Sequence, residues 1–155
     1  MEMYEPPKIR DAAPAEVSAL EALQRRSSDV WEEYRAQLAA HPEVFELPPA
    51  FIENGWVRVA VDASDAPIGF SVVIPTDARV HELDGLFVEP GHMGRGVGRA
   101  LVEDAAERAA RGGAEYLEVT AGPAQGFYEK AGFDLVGAAQ TRFGPAVRMR
   151  RRLQA

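Results

Sequence analysis

The sequence predicts an α+β, or mixed α/β, fold on a largely antiparallel sheet. Three observations carry that reading. Apolar residues recur at helical steps through the first third of the chain. They alternate at strand period through the middle. A strand, a glycine-rich loop and a long amphipathic helix then follow in direct succession, with short strand-period segments after them. The expected order is a short strand, helices, three strands, a helix, a strand, a helix and two strands. The strand–helix–strand unit in the middle demands one parallel pair, because a helical crossover returns the chain to its starting direction.

Residues 8–12 read as the first strand. Pro14 opens a helix, where a missing N–H is harmless, and Val17, Leu20 and Leu23 form its buried stripe. Asp29 is expected to cap a second helix reaching Ala40, with Trp31, Tyr34 and Leu38 on one side. His41-Pro42 ends it, because a residue before proline is pushed out of the helical region. Pro48-Pro49 marks a break, and Phe51 to Asn54 form a turn closed by Gly55. Trp56 to Val61 and Ile68 to Ile74 are expected to pair as a hairpin across the Asp62-Ala63-Ser64-Asp65 turn. Residues 79–88 form the next strand. Residues 96–111 form a helix with Val97, Leu101, Ala105 and Ala109 on one face, stopped by Gly112-Gly113. Residues 114–120 are a strand, 123–131 a short helix ending at Gly132, and 133–137 and 145–153 the last two strands. Arg148, Arg150 and Arg152 share one face of the last strand, expected to be its solvated side.

The 155 residues, 46% apolar and 26% charged, suit a single domain over 1–155. No apolar run is long enough to span a membrane. The absence of cysteine excludes disulfides, thiolate metal sites and a cysteine nucleophile. His41, His81 and His92 are not spaced as metal ligands, so no metal is expected. The acidic, proline-containing start lacks the features of a secretory signal, so the expected location is cytoplasmic. A net charge of −7 argues against nucleic acid as a partner.

The most informative stretch is Met93-Gly94-Arg95-Gly96-Val97-Gly98, followed by Arg99 and a helix. The first amides of a helix have no internal acceptor, and the helix dipole places positive potential there. Glycines let anionic oxygens reach the main chain and permit positive φ. Arg95 and Arg99 add donors. Spacing removes two other glycine loops. Gly91 and Gly96 have the gap of a nucleoside-triphosphate loop, but Val97-Gly98 follows in place of Lys-Ser/Thr. The dinucleotide pattern from Gly96 lacks its third glycine.

The loop resembles the pyrophosphate loop of the GCN5-related N-acetyltransferases, [QR]-x-x-G-x-[GA], with Met93 where Gln or Arg is usual. Gly126-Phe127-Tyr128-Glu129-Lys130-Ala131-Gly132-Phe133 is similar to a second hallmark of that family, although the asparagine usual about seven residues upstream is replaced near Ala121. The resemblance covers about residues 56–153. It implies a six- to seven-stranded sheet with helices on both faces and a splayed parallel pair. It also implies acetyl-coenzyme A as co-substrate, a small-molecule or peptide amine as acceptor, and direct transfer in a ternary complex. Homodimers are frequent in the family.

By this resemblance, main-chain groups of Met93 to Arg99 hold the diphosphate. Leu86, Phe87 and Val88 line the pantetheine arm, with the Leu86 N–H near the acetyl oxygen. Tyr128 protonates the departing thiolate. The apolar parity of the strand shifts between Leu83 and Leu86, so a β-bulge is expected near Asp84-Gly85. Glu82 is the first choice for the base that takes the amine proton. Asp84, His81 and an ordered water are its rivals. His92 is expected to cap or pack at the loop. The acceptor pocket is expected between Gln24 and Asn54, where Trp31, Tyr34, Phe45 and Phe51 line it or fill the core. A non-catalytic acyl-coenzyme A sensor on the same fold is the alternative function; it needs neither Tyr128 nor a base.

Overall fold

The computed structural model describes residues 6–154, with the side chains of residues 32–34 outside that description. In chain order it contains β1 (Lys8–Asp11), α1 (Val17–Ser28), α2 (Glu32–Ala40), α3 (Pro49–Glu53), β2 (Val57–Val61) and β3 (Pro67–Pro75). Then come β4 (Val80–Val88), α4 (Val97–Arg111), β5 (Tyr116–Ala121), α5 (Gln125–Lys130), β6 (Asp134–Thr141) and β7 (Gly144–Arg152). The seven strands form one sheet in the order β1-β2-β3-β4-β5-β7-β6. β1/β2, β2/β3, β5/β7 and β6/β7 are antiparallel, and β4/β5 is parallel. Among the described residues no helix is long and apolar enough to cross a membrane.

The chain divides into two compact units, Met1–Val72 with Gly85–Val102, and Val73–Asp84 with Glu103–Ala155. In the first, α1 buries Leu20 and Leu23 completely. The β2–β3 turn is held by Asp62, whose carboxylate accepts the N–H groups of Ser64 at 2.8 Å and Ala66 at 3.0 Å. The β2/β3 register steps from Ala60↔Gly69 to Val61↔Pro67, leaving Ile68 as a bulged residue. Ile68 then packs with Ala60, Val97 and Leu101, and Ile9, Leu86 and Val88 lie against that cluster. This fixes the first turn of α4 against the end of β4. Gly69 permits the approach. A Cβ there would lie 3.0 Å from the Phe87 carbonyl oxygen and 3.1 Å from both Val97 and Leu101.

In the second unit, Leu117, Val119 and Ala121 alternate along β5 as buried residues. α5 ends in a Schellman arrangement: Phe133 N–H donates to Tyr128 O at 3.0 Å and Gly132 N–H to Glu129 O at 3.2 Å, with Gly132 at φ 92°. That closure fixes Tyr128 on its helix.

Several sequence expectations need correction. Asp29 does not cap α2. It is the C-cap of α1, its N–H donating to Arg25 O at 3.1 Å, and Trp31 occupies the α2 N-cap. Trp31 is exposed, and the Tyr34 side chain lies outside the described residues. β6 runs on to Thr141, because β7 pairs with it along most of its length. β7 also inserts between β5 and β6, an arrangement local periodicity does not encode.

Gly69→Ala should overpack the contact between β3, the end of β4 and α4. Overpacking of this kind costs about 1–3 kcal/mol, lowering the thermal midpoint by about 2–10 °C for a chain of this size. Calorimetric unfolding checks it; an unchanged midpoint would show that the close approach is not needed.

Candidate functional site

The loop before α4 is shaped by two glycines in the left-handed region, Gly94 at φ 77° and Gly96 at φ 84°. Alternation of right- and left-handed residues turns successive amides to one side, a concavity suited to anions. Two amides at its ends are used internally: Met93 N–H donates to Pro90 O at 3.3 Å and Ala100 N–H to Gly96 O at 3.0 Å. Among the described residues, the N–H groups of Gly94, Arg95, Val97 and Gly98 have no acceptor within the chain. Gly94 and Arg95 are exposed. Four amides at a helix N-terminus thus await an acceptor, with the α4 dipole behind them. His92 shapes the approach through its main chain, its N–H donating to Glu89 O at 2.8 Å.

The end of β4 presents a second set of main-chain donors. Glu89 N–H turns toward β3 and donates to Ile68 O at 2.9 Å. Successive N–H groups of an extended chain point to opposite edges, so those of Val88 and Leu86 face away from β3. On the opposite side of β4, the parallel ladder with β5 pairs only Val80, His81 and Glu82. Val88 N–H donates to the Ser27 hydroxyl at 3.3 Å, and Ser27 is buried. Its neighbour Arg26 forms a bidentate pair with Glu89 at 2.8 and 2.7 Å. The last turn of α1 is therefore tied to the last residues of this strand.

In the second unit, Tyr128 is 7% exposed. Its ring makes edge contacts with Phe127 at 5.1 Å and Phe133 at 5.4 Å. Burial pushes its phenol up to about 12, so it keeps its proton at neutral pH. Glu82 lies beside Glu118 in the parallel ladder. Arg148 binds both Glu82 oxygens, at 2.8 and 2.9 Å, and reaches Glu118 at 2.7 Å and the Thr120 hydroxyl at 2.6 Å. Arg150 also binds Glu118, and its guanidinium lies 4.3 Å from the Tyr116 ring centre. Burial pushes the Glu118 carboxyl up, but the guanidiniums of Arg150 and Arg148 outweigh it and hold that carboxyl below its ordinary range. The arginine face of β7 is thus an ion network across three strands, not the freely solvated side expected from its sequence.

Asp84 is an exposed residue of β4. Lost solvation first, and the nearby Glu82 charge second, push its carboxyl above the ordinary range. His81 is pushed downward by burial; its ring stands where a Cβ on Gly112 would lie 3.0 Å away. Of the aromatics expected to line an acceptor pocket, Phe45 is buried under the Arg25 guanidinium, and Phe51 packs on Trp56 at 5.4 Å between ring centres.

The family model for the acetyltransferase (GNAT) domain matches residues 53–135, which include the loop, Glu82 and Tyr128. The chain belongs to the GNAT acetyltransferase family. A peptidyl-lysine N-acetyltransferase, YjaB of Salmonella typhimurium, is 32% identical over 132 residues, covering 85% of this chain and 86% of that protein. The solution structure of apo YjaB from Escherichia coli superposes with a TM-score of 0.68 at 28% identity, covering 95% of this chain and 98% of that one. The PaiA N-acetyltransferase of Thermoplasma acidophilum, crystallised with coenzyme A, shares the fold with a TM-score of 0.76 at 20% identity, covering 96% and 99% of the two chains.

The glycine loop and the Tyr128 segment, both legible in the sequence, lie within the matched residues. Sequence reasoning misses the contacts of Ser27 with Val88 and of Arg148 with Glu82. Ser27 carries no motif and meets Val88 only through the fold. Arg148 carried a signal, its shared face with Arg150, but its carboxylate partners are 30 and 66 residues away.

Proposed function

We propose that this chain transfers an acetyl group from acetyl-coenzyme A directly to a primary amine, the lysine side chain of a peptide or protein, within a ternary complex. The observation that carries the reading is the set of unpaired amides of Gly94, Arg95, Val97 and Gly98 at the N-terminus of α4. They match the demand of a diphosphate for several main-chain donors, and Arg95 and Arg99 supply charge beside them. The outward N–H groups of Leu86 and Val88 suit the amides of a pantetheine arm, and Leu86 N–H is the donor assigned to the acetyl oxygen. The lysine acceptor rests on the two YjaB relatives, each named for peptidyl-lysine acetylation.

Tyr128 is assigned to the leaving group. A phenol near 12 lies well above an ordinary thiol, at about 8.5. It therefore stabilises the departing thiolate as a hydrogen-bond donor rather than by complete proton transfer. The proton of the amine is assigned to Asp84 in place of Glu82. Both Glu82 oxygens are engaged by Arg148, whereas Asp84 has a raised carboxyl pKa, the direction a base working near neutrality needs. Glu82 then serves to hold Arg148 and to press its charge on Asp84.

The direct experiment is thiol release from acetyl-coenzyme A with lysine-containing peptides. Turnover dependent on the lysine supports the reading. Tight coenzyme binding with no turnover on any peptide or small amine would instead favour an acyl-coenzyme A sensor.

Tyr128→Phe keeps the ring contacts and should leave the coenzyme Kd unchanged. Loss of one hydrogen bond to a charged group should lower kcat by about 10- to 100-fold. Unaltered kcat would remove Tyr128 from the reaction.

For Asp84 the sign is fixed: the carboxylate must be deprotonated to act, so kcat should rise with pH through a midpoint above the ordinary carboxylate range. Asp84→Asn should abolish that limb and reduce kcat by about 100-fold or more. A full acid limb in Asp84→Asn would return the role to Glu82 or water.

A further inference from the structure

We propose that Ser27 is a built-in placeholder for the coenzyme arm: its hydroxyl occupies the Val88 N–H in the free protein and must yield that donor when pantetheine binds. The inference rests on the coenzyme reading above and adds a residue of α1 to it.

Three observations support the assignment. The Val88 N–H faces away from β3, as the turn of Glu89 N–H toward Ile68 requires. It is thus one of the main-chain donors left to a ligand lying along β4. Ser27 Oγ takes it at 3.3 Å, the long end of the hydrogen-bond range, so the contact is weak enough to be exchanged. Ser27 is held there by the adjacent Arg26–Glu89 pair, which sets the last turn of α1 over the strand end whether or not the hydroxyl is used.

An N–H beside a buried side chain is costly to leave unmet, and the serine oxygen meets it. A pantetheine carbonyl offers the same acceptor. Serine can then rotate about χ1, a single staggered torsion, without moving α1. Binding of the arm consequently exchanges one hydrogen bond for another and gains less than the new contact alone would give. Ser27 tempers affinity for the arm while keeping the empty strand end satisfied.

The exchange predicts an unusual sign. Ser27→Ala removes the competing acceptor from the free protein, so coenzyme A should bind about twofold to tenfold more tightly, the equivalent of one ordinary net hydrogen bond. The fragment carrying the nucleotide and diphosphate but no pantetheine should bind both proteins equally. Ser27→Thr retains the hydroxyl and should stay within about twofold of the parent. Calorimetric titration of the full chain with coenzyme A and with the armless fragment reads all of these, and thermal unfolding confirms that each variant is folded. Equal or weaker coenzyme binding by Ser27→Ala, while the parent binds well, overturns the placeholder. A parent protein that binds neither coenzyme A nor the fragment overturns the underlying coenzyme reading instead.

Discussion

The organisation of the molecule depends on the turn into α4, where, among the described residues, the N–H groups of Gly94, Arg95, Val97 and Gly98 have no acceptor within the chain. Gly94 and Gly96 adopt positive φ, which side chains resist, and so turn the main chain of the loop inside out. The amides of Gly94, Arg95, Val97 and Gly98 are the result. Much of the first unit serves to hold that turn in place. Val97 and Leu101 anchor the helix on Ala60 and the bulged Ile68, and Gly69 lets β3 come within contact of the Phe87 carbonyl and the same two side chains. The end of β4 is fixed in turn by α1 through Arg26 and Ser27. A rigid scaffold thus presents donors that a loop alone would not keep aligned.

The second unit solves a different electrostatic problem. Parallel pairing sets Glu82 directly beside Glu118, an unfavourable meeting of like charges. Arg148 bridges them and Arg150 adds a second guanidinium to Glu118. The pairs are only partly exposed, with Glu118 at 16%. Removing either arginine therefore costs more than loss of a surface pair, because a crowded carboxylate would remain uncompensated. The same network leaves Asp84 near the Glu82 charge, which adds to lost solvation in pushing the Asp84 carboxyl up.

What could be read from the sequence was local. The four-residue recurrence of Val97, Leu101, Ala105 and Ala109 gave α4, and all four are buried. Turn chemistry gave the hairpin, and Gly132 gave the end of α5. The failures share a cause as well. Asp29 is a good N-cap residue by type, yet α1 continues until Asp29 closes it, since helix ends are set by packing as much as by caps. The place of β7 between β5 and β6, the partners of Arg148 and the meeting of Ser27 with Val88 all join residues far apart in the chain. No periodicity or motif records such contacts. The family resemblance supplied the expected roles of Leu86 to Val88 and Tyr128, which residue patterning alone could not.

The most direct measurement is a crystal structure of the chain with acetyl-coenzyme A. The account predicts diphosphate oxygens within about 2.7–3.2 Å of the main-chain nitrogens of Gly94, Arg95, Val97 and Gly98. A coenzyme bound with its diphosphate elsewhere, or a loop whose amides are satisfied by the protein itself in the complex, would contradict it.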